Sequence, residues 1–274
     1  MLEIDRIIRN ALQEDIGLGD VTTLATVSPG KVVRAEFVAK EDFVLSGIDV
    51  ARRVFQLLDE EVAFEKIIED GQSVRRGEVL AWLKGEASFL LQGERVALNL
   101  LQRMSGVATL TSRFVKAVEG TGATIVDTRK TTPGLRILEK YSVRSGGGRN
   151  HRTSLYDGVL IKENHIAAAG GIATAVGRAR DYAPHTLKIE VETRDLAEVG
   201  EALEAGADII LLDNMDLETL CSAVELIDGR ALAEASGGVN LETVREIAET
   251  GVDLISVGAM THSYLAADIS MLFR

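Results

Sequence analysis

The chain has little cysteine: Cys221 is the only one among 274 residues. A single thiol cannot form a disulfide within the chain, so disulfide-stapled domains are excluded. The neighbouring Leu217, Leu220, Val224 and Leu226 suggest one apolar face of a helix. We therefore predict that Cys221 is an inert thiol in a buried core and has no catalytic role.

Long apolar runs and an excess of positive charge are also missing. No stretch of about 18 apolar residues occurs, so we expect no membrane-spanning helix and no membrane partner. Glu3 and Asp5 stand where a secretory signal carries basic residues, so we expect a cytoplasmic protein. With 30 basic and 42 acidic residues, the net charge is −12, which argues against a nucleic-acid partner. Any bound anion must be held by a local group of cations.

The first hundred residues mix helical and strand patterns. Apolar residues recur at helical spacing from Leu2 to Leu12, which predicts an amphipathic first helix. A second helix is predicted from Gly93 to Met104. Short strands are predicted in between, with turns at Asp70-Gly71 and Arg76-Gly77. The strand predictions cover Lys31–Val38, Phe43–Ser46, Val62–Ile68 and Val79–Leu83.

Beyond Gly122, apolar runs alternate with helical patterns six times. Runs that are apolar on both faces predict a parallel sheet covered on both sides. Six units are too few for an eightfold barrel, so we predict an α/β fold with an incomplete barrel. A doubly wound sheet is the alternative, but no G-x-G-x-x-G follows the first run. The runs are Ala123–Asp127, Gly158–Lys162, Leu187–Val191, Asp208–Leu212, Ala231–Ala235 and Asp253–Val257, with helices beginning near Pro133, Gly171, Asp195, Asp216, Asn240 and Ser263.

Every predicted strand ends in polar or glycine residues, and in barrels these ends form the active site. Cations suit a ligand with several negative groups. Carboxylates from neighbouring strands suit Mg²⁺, and glycines let a phosphate approach the backbone. The sequence therefore predicts an enzyme for a phosphorylated, polyanionic substrate. The residues are Arg129 and Lys130, Lys162 and His165, Glu190 and Glu192, Asp213 and Asn214, Ser236, Gly237 and Gly238, and Gly258.

Each of these groups also has a simpler interpretation. Arg129 and Lys130 alone fit a solvated loop, and Ser236-Gly237-Gly238 alone fits a turn. Asp213-Asn214 alone fits a helix cap. The segment from Gly146 to Arg152, GGGRNHR, is either a plain connector or a cationic loop over a carboxylate. Arg95, by its surroundings alone, fits a surface ion pair.

These segments together resemble the quinolinate phosphoribosyltransferase family over nearly the whole chain. The resemblance is carried by DTRKTTPGLRILEK at 127–140, followed by GGGRNHR, LIKENH, KIEVE, LLDNM, EASGGVN and SVGAMTHS. GERVALNLLQRMSGVAT and EDIGLGDVTT fit as well. The resemblance implies an N-terminal α/β sandwich at 1–105 and a C-terminal incomplete β/α barrel at 106–274. It also implies decarboxylating transfer from phosphoribosyl pyrophosphate to quinolinate, with Mg²⁺ as cofactor.

The resemblance further assigns residues to the two substrates. Lys130, Lys162, Glu192 and Asp213 are the expected catalytic group, with Mg²⁺ and ribose on Glu192 and Asp213. A homodimer or larger homo-oligomer is expected, in which Arg95 reaches the partner's site. Quinolinate is expected on Arg129, His151, Arg152 and Lys162, both substrates on Lys130 and His165, and the 5-phosphate on Ser236, Gly237, Gly238, Gly258 and His262.

Two rival functions stay open at this point. Relatives with the same architecture accept nicotinate or accompany molybdate transport, although so many cations suit two carboxylates better than one. The other rival is a non-catalytic carrier, because EDGQSVRRGEVLAWLKG at 69–85 looks like the turns of lipoyl and biotinyl domains. Such a domain needs a lysine at a hairpin tip, and only Lys84 offers itself. The adjacent acidic pair of the other phosphoribosyltransferase fold is missing from the sequence.

Overall fold

The structure is a computed structural model that describes residues 2–274. It alternates helices and strands along its length. In chain order they are α1 (Leu2–Ile16), α2 (Val21–Thr26), β1 (Val32–Ala39), β2 (Phe43–Val44), α3 (Ile48–Leu58), β3 (Ala63–Lys66), β4 (Ser73–Val74), β5 (Val79–Glu86), α4 (Ala87–Ala117), β6 (Thr124–Val126), α5 (Arg136–Ser145), β7 (Val159–Ile161), α6 (Glu163–Ala169), α7 (Ile172–Tyr182), β8 (Ile189–Thr193), α8 (Leu196–Glu204), β9 (Ile209–Asp213), α9 (Leu217–Ile227), β10 (Leu232–Ser236), α10 (Val244–Glu249), β11 (Leu254–Ser256), α11 (Ala259–His262) and β12 (Ile269–Phe273).

The chain forms two compact units that are each discontinuous in sequence. Unit 1 holds the residues up to Ser112, together with Thr131–Gly147 and Ser263–Arg274. Unit 2 holds Arg113–Lys130 and Gly148–His262. The sequence instead predicts two continuous domains that meet between residues 105 and 106, and that boundary stays a prediction.

Unit 1 is an antiparallel sheet packed against helices. Its strand order is β12-β1-β5-β3, and the predicted α/β character of this half is confirmed. The rings of Phe37, Phe55 and Phe64 meet at centroid distances of 6.1 to 6.4 Å in the core. The first helix buries Ile7 and Ile8, as its apolar spacing predicts. The core around these rings is therefore apolar, although unit 1 also buries Glu36 and Glu139, which form ion pairs with arginines.

The last strand of unit 1 is a correction to the sequence prediction. A helix is expected to begin near Ser263, but α11 ends at His262 and the chain continues to β12. This strand pairs with β1, where Phe273 lies opposite Ala35. A five-residue strand whose partner lies more than 200 residues away gives little local signal, so its pairing depends on tertiary structure.

The carrier-domain alternative is wrong. Lys84 lies within β5, where it is opposite Arg34 on one side and Ala63 on the other. A residue inside a central strand cannot serve as the exposed tip of a hairpin that carries a prosthetic group.

Unit 2 contains a six-stranded parallel sheet with the strand order β6-β11-β10-β9-β8-β7. From β7 to β11, consecutive strands are neighbours, and β6 pairs with β11, as in a barrel, while the ring is open between β6 and β7. A doubly wound sheet would reverse its order in the middle. The incomplete barrel is therefore confirmed, and the doubly wound alternative is wrong.

The helices of unit 2 begin close to the predicted residues. Asp195 and Asp216 are N-caps whose carboxylates accept from backbone N–H groups three residues later, and Gly171 precedes α7. Asn240 instead stabilises a turn, so α10 begins four residues later at Val244. The additional short helix α6 was not predicted, and in unit 1 the helix expected near Pro133 begins at Arg136.

The predicted burial of Cys221 is wrong, because its side chain is exposed on α9, and its lack of a catalytic role stays a prediction. The buried face of α9 is formed by Leu220, Ala223 and Ile227, so the next position along the helix points about 100° away. Among the described helices, none is both long and apolar enough to cross a membrane.

Candidate active site

A cavity of about 640 Å³ lies in unit 2 where the strands of the parallel sheet end. Ten of the residues that the sequence assigns to substrates or metal line it, which confirms that these positions converge. They are Arg129, Lys130, His151, Arg152, Lys162, Glu192, Asp213, Ser236, Gly237 and Gly238. This is the expected place for an active site in a β/α barrel.

Asp127 fixes the cationic loop that brings His151 and Arg152 to the cavity. It follows β6 and is fully buried. One carboxylate oxygen accepts from the His151 backbone N–H at 2.8 Å, and the other accepts from Asn150 Nδ2 at 2.6 Å. The segment GGGRNHR is therefore anchored to the end of a barrel strand, and the interpretation as a plain connector is wrong.

The residues after His151 form a tight, polar turn. Asp157 accepts from the backbone N–H groups of Thr153 and Ser154, each at 2.7 Å. Burial acts to raise the pKa of Asp157, but these hydrogen bonds prevail, and its pKa lies below the ordinary value. The Arg152 guanidinium donates to the carbonyl of Gly158 at 3.1 Å, which closes the turn.

The cavity has a positive wall in which two guanidinium groups lie close enough to repel. Burial, and then the charge of Arg129, lower the pKa of Arg152. Glu190 and Asp157 oppose this effect without cancelling it. Like charges held together in a half-buried wall favour binding of a ligand with more than one negative group.

Lys162 and Glu192 face each other across the neighbouring strands β7 and β8. The Lys162 ammonium donates to Glu192. The Lys162 backbone N–H also donates to Nδ1 of His165 at 3.0 Å, so this ring caps the start of α6. The His165 side chain is exposed and does not line the cavity. The contact that the structure shows for its ring is the hydrogen bond that caps α6.

Glu192 and Asp213 lie on the same side of the sheet. Glu192 is opposite Leu211 in the β8–β9 register, and Asp213 stands two residues beyond Leu211. All three line the cavity. Two carboxylates at one mouth offer hard oxygen ligands, so this donor set fits Mg²⁺ that is also bound by phosphate oxygens.

The glycine turn after β10 is required by close contact. Gly237 and Gly238 have φ angles of +96° and +61°, which favour glycine. A Cβ atom on Gly237 would lie 2.2 Å from Oδ1 of Asn214. The turn therefore packs against the end of β9 and leaves backbone amides at the cavity. Because α10 begins only at Val244, these amides do not belong to the N-terminus of that helix.

Lys130 and His262 converge on Gly258. A Cβ atom there would lie 3.1 Å from Nε2 of His262 and 3.1 Å from Cδ of Lys130. The hydroxyl of Thr261 donates to the Lys130 carbonyl at 2.8 Å, which ties the loop after β6 to α11. Gly258 and His262 thus contact a cavity residue, although neither lines the cavity itself.

Arg95 is exposed on α4 in unit 1 and is absent from the cavity lining.

Two acids are buried next to the cavity: Glu190 is one of the residues expected at the strand ends, whereas the sequence patterns did not identify Glu234, which lines the cavity. Glu190 and Glu234 lie inside β8 and β10, and 5% and 0% of their side chains are exposed. Burial, and then the charge of Glu190, raise the pKa of Glu234 to about 7. The sequence does carry a signal for these buried acids, because each stands inside an apolar run that is expected to be buried on both faces.

Sequence comparisons identify the family to which both parts of the chain are similar. The family described as quinolinate phosphoribosyl transferase, N-terminal domain, matches residues 20–105, and its C-terminal domain matches residues 107–272. A probable nicotinate-nucleotide pyrophosphorylase (carboxylating) of Bacillus subtilis is 45% identical over 98% of this chain and 93% of its own length. Quinolinate phosphoribosyltransferase (decarboxylating) 1b of Nicotiana tabacum is 44% identical, over 98% and 82%.

Solved structures show the same fold. NadC from Streptococcus pyogenes superposes with a TM-score of 0.96 and is 42% identical, over 99% of this chain and 96% of its own. The nicotinate-nucleotide pyrophosphorylase of Francisella tularensis gives a TM-score of 0.95 at 39% identity, with the same coverage. The similarity spans both units.

Proposed function

Because the chain belongs to the quinolinate phosphoribosyl transferase family, we propose that it transfers phosphoribose from phosphoribosyl pyrophosphate to quinolinate. The products are nicotinate mononucleotide, pyrophosphate and CO₂, as a step of NAD biosynthesis. The observation that carries the proposal is the cavity itself, which combines a cationic wall with a carboxylate pair at one mouth. A pyridine dicarboxylate and a phosphorylated sugar together present the matching charges.

The positive wall is the proposed quinolinate site. Arg129, His151, Arg152 and Lys162 all line the cavity. A guanidinium can bind a carboxylate through two parallel hydrogen bonds, whereas an ammonium acts as a point charge. Two carboxylates on the pyridine ring make use of several cations, while a single carboxylate leaves part of the buried positive charge unpaired.

The opposite part of the cavity is the proposed sugar-phosphate site. Glu192 and Asp213 suit the ribose hydroxyls and Mg²⁺, which when bound supplies positive charge to the departing pyrophosphate. Ser236, Gly237 and Gly238 expose amides and a hydroxyl for the 5-phosphate. Gly258 and His262 complete the 5-phosphate contacts expected from the family, and Lys130 and His165 are expected to help hold both substrates.

The residues act mainly by positioning and by charge. The pyridine nitrogen attacks the anomeric carbon as the bond to pyrophosphate breaks, and Lys130 and Lys162 stabilise the charge that leaves. The ring nitrogen then carries a positive charge, so the adjacent carboxylate departs as CO₂ and leaves its electron pair on the ring carbon. Protonation of that carbon gives the product. Holding the two substrates in line supplies much of the rate enhancement.

We further propose a cytoplasmic homodimer, or a larger homo-oligomer, with shared active sites. Arg95 is exposed on a helix of unit 1 and does not line the cavity, which suits a residue that serves the partner's site. Mixing Arg95→Ala protein with Asp213→Asn protein tests this. Activity regained after subunit exchange supports sharing, and continued inactivity of exchanged subunits contradicts it.

The direct test is an assay with quinolinate, phosphoribosyl pyrophosphate and Mg²⁺, in which nicotinate mononucleotide is measured by chromatography. Nicotinate serves as the matched acceptor. We expect product from quinolinate and none from nicotinate. Product from nicotinate alone would identify a nicotinate transferase, and no product from either acceptor with folded protein would contradict the proposal.

A further inference from the structure

His151 forms part of the wall between two cavities of unit 2. It lines the 640 Å³ substrate cavity and a second cavity of about 370 Å³. Glu190 lines only the second cavity, so it lies behind the His151 ring as seen from the substrate. Any influence of Glu190 on substrate binding must therefore pass through a neighbour.

The His151 ring is held by that neighbour. Its Nε2 lies 2.7 Å from Oε2 of Glu190 and 3.8 Å from Oε2 of Glu234. A carboxylate oxygen accepts hydrogen bonds, so this contact fits the tautomer in which Nε2 carries the proton and donates to Glu190. The backbone of His151 is fixed by Asp127, so both the main chain and the ring are restrained by buried acids.

The three side chains His151, Glu190 and Glu234 have ligand atoms within 4.8 Å of one another and could hold a metal ion. The charges around them favour a different role. Glu190 lies close enough to raise the pKa of Arg152, and Lys162 lies close enough to lower that of Glu234. The two acids therefore already face cationic side chains, and a divalent ion would meet repulsion from them.

We propose that Glu190 is a positioning residue for His151, which it holds against the wall where the second carboxylate of a pyridine dicarboxylate binds. This inference rests on the proposed function. A carboxylate behind the ring fixes its tautomer and orientation. Glu190, which does not line the substrate cavity, thereby orients a side chain that does, whereas Glu234 lines that cavity itself.

The kinetic test separates Glu190 from Glu192, two residues further along β8. In Glu190→Gln we expect the KM for quinolinate to rise about tenfold, while the KM for phosphoribosyl pyrophosphate changes less than about twofold. Glu192→Gln, the matched control on the cavity side, should chiefly impair phosphoribosyl pyrophosphate and Mg²⁺. An unchanged quinolinate KM in Glu190→Gln would overturn the proposal.

A double-mutant cycle shows whether Glu190 acts through His151. In a His151→Gln background, Glu190→Gln should have no further effect on the quinolinate KM. Fully additive effects of the two substitutions would contradict a positioning role. General damage to the barrel would be additive and would lower the melting temperature of both variants.

A spectroscopic readout needs no activity at all. The chain has four histidines, so ring signals of ¹⁵N-histidine-labelled protein can be assigned with single His→Gln variants. We expect a slowly exchanging Nε2–H signal for His151 in the wild type and its loss in Glu190→Gln. Its absence in the wild type, or a stoichiometric metal ion bound by the protein and lost in Glu234→Gln, would overturn the proposal. If quinolinate gives no product, this signal still tests the inference separately from the proposed function.

Discussion

The two units treat their buried acids differently. In unit 1, buried Glu139 forms an ion pair with Arg103 beside a large apolar core. In unit 2, the parallel strands bury Glu190 and Glu234, and Oε1 of each has no hydrogen-bond partner among the described residues. Burial of carboxylates opposes folding unless cations and hydrogen bonds offset it, so the difference indicates that unit 2 gives up some stability for a charged site.

The largest expected effect is a loss of activity in a variant whose two units both stay folded. Asp213→Asn removes one of two carboxylates at the sugar-phosphate mouth, so kcat/KM should fall on the order of 10³-fold. Steady-state assays measure this loss, with the exposed Glu204→Gln as a control of equal charge change. Activity within tenfold of the wild type would remove Asp213 from the site.

The second prediction breaks the core of unit 1. Phe55→Ala removes a fully buried ring, so the free energy of unfolding should fall by about 3 kcal/mol. Denaturant unfolding measures it, and the exposed Phe273→Ala is the control for loss of an aromatic ring. The folded fraction should keep its kcat. A large loss of kcat in fully folded Phe55→Ala protein would contradict the claim that the core of unit 1 contributes to stability and not to catalysis.

The third prediction tests the positive wall. Arg152→Ala should raise the KM for quinolinate about 100-fold, because it removes a half-buried guanidinium that can form two parallel hydrogen bonds to a carboxylate. The exposed Arg178→Ala serves as the matched control, and circular dichroism should show an unchanged fold. A wild-type KM would exclude Arg152 from the quinolinate site.

The smallest expected effect concerns the buried acids. The pKa of Glu234 is raised from 4.5 to about 7 in the folded chain, so the folded state holds its proton more tightly than the unfolded state. Its contribution to stability is present below about pH 4.5 and is lost as pH rises towards 7. Between pH 5 and 7.5, the wild type should lose on the order of 2 kcal/mol more than Glu234→Gln. Equal pH slopes in denaturant unfolding would contradict a raised pKa.

The local sequence was enough to predict the strands and helices that position the site. Apolar runs predict all six strands of the barrel because each is buried or half-buried on both faces. Asp195 and Asp216 mark helix starts by hydrogen bonds within one turn. Since carboxyl ends of parallel strands meet at one edge, polar residues such as Lys162 and Glu192 could be predicted to converge.

Other features depended on contacts that are remote in sequence. The strand β12 needs β1 as its partner, and Cys221 is exposed because the buried stripe of α9 runs through Leu220 and Ala223. Local spacing does not contain either fact.

The chain's own sequence thus determined the order of its elements, the family resemblance and the residues at the strand ends. Only the tertiary structure decided what lies beneath them. Glu190 and Glu234 lie on separate strands. Their contact with His151 depends on strand register and on the hydrogen bond by which Asp127 holds the backbone of His151. The physical reason is that hydrogen bonding and burial within one turn or strand are local, while the charge on a buried group is set by neighbours that folding alone brings together.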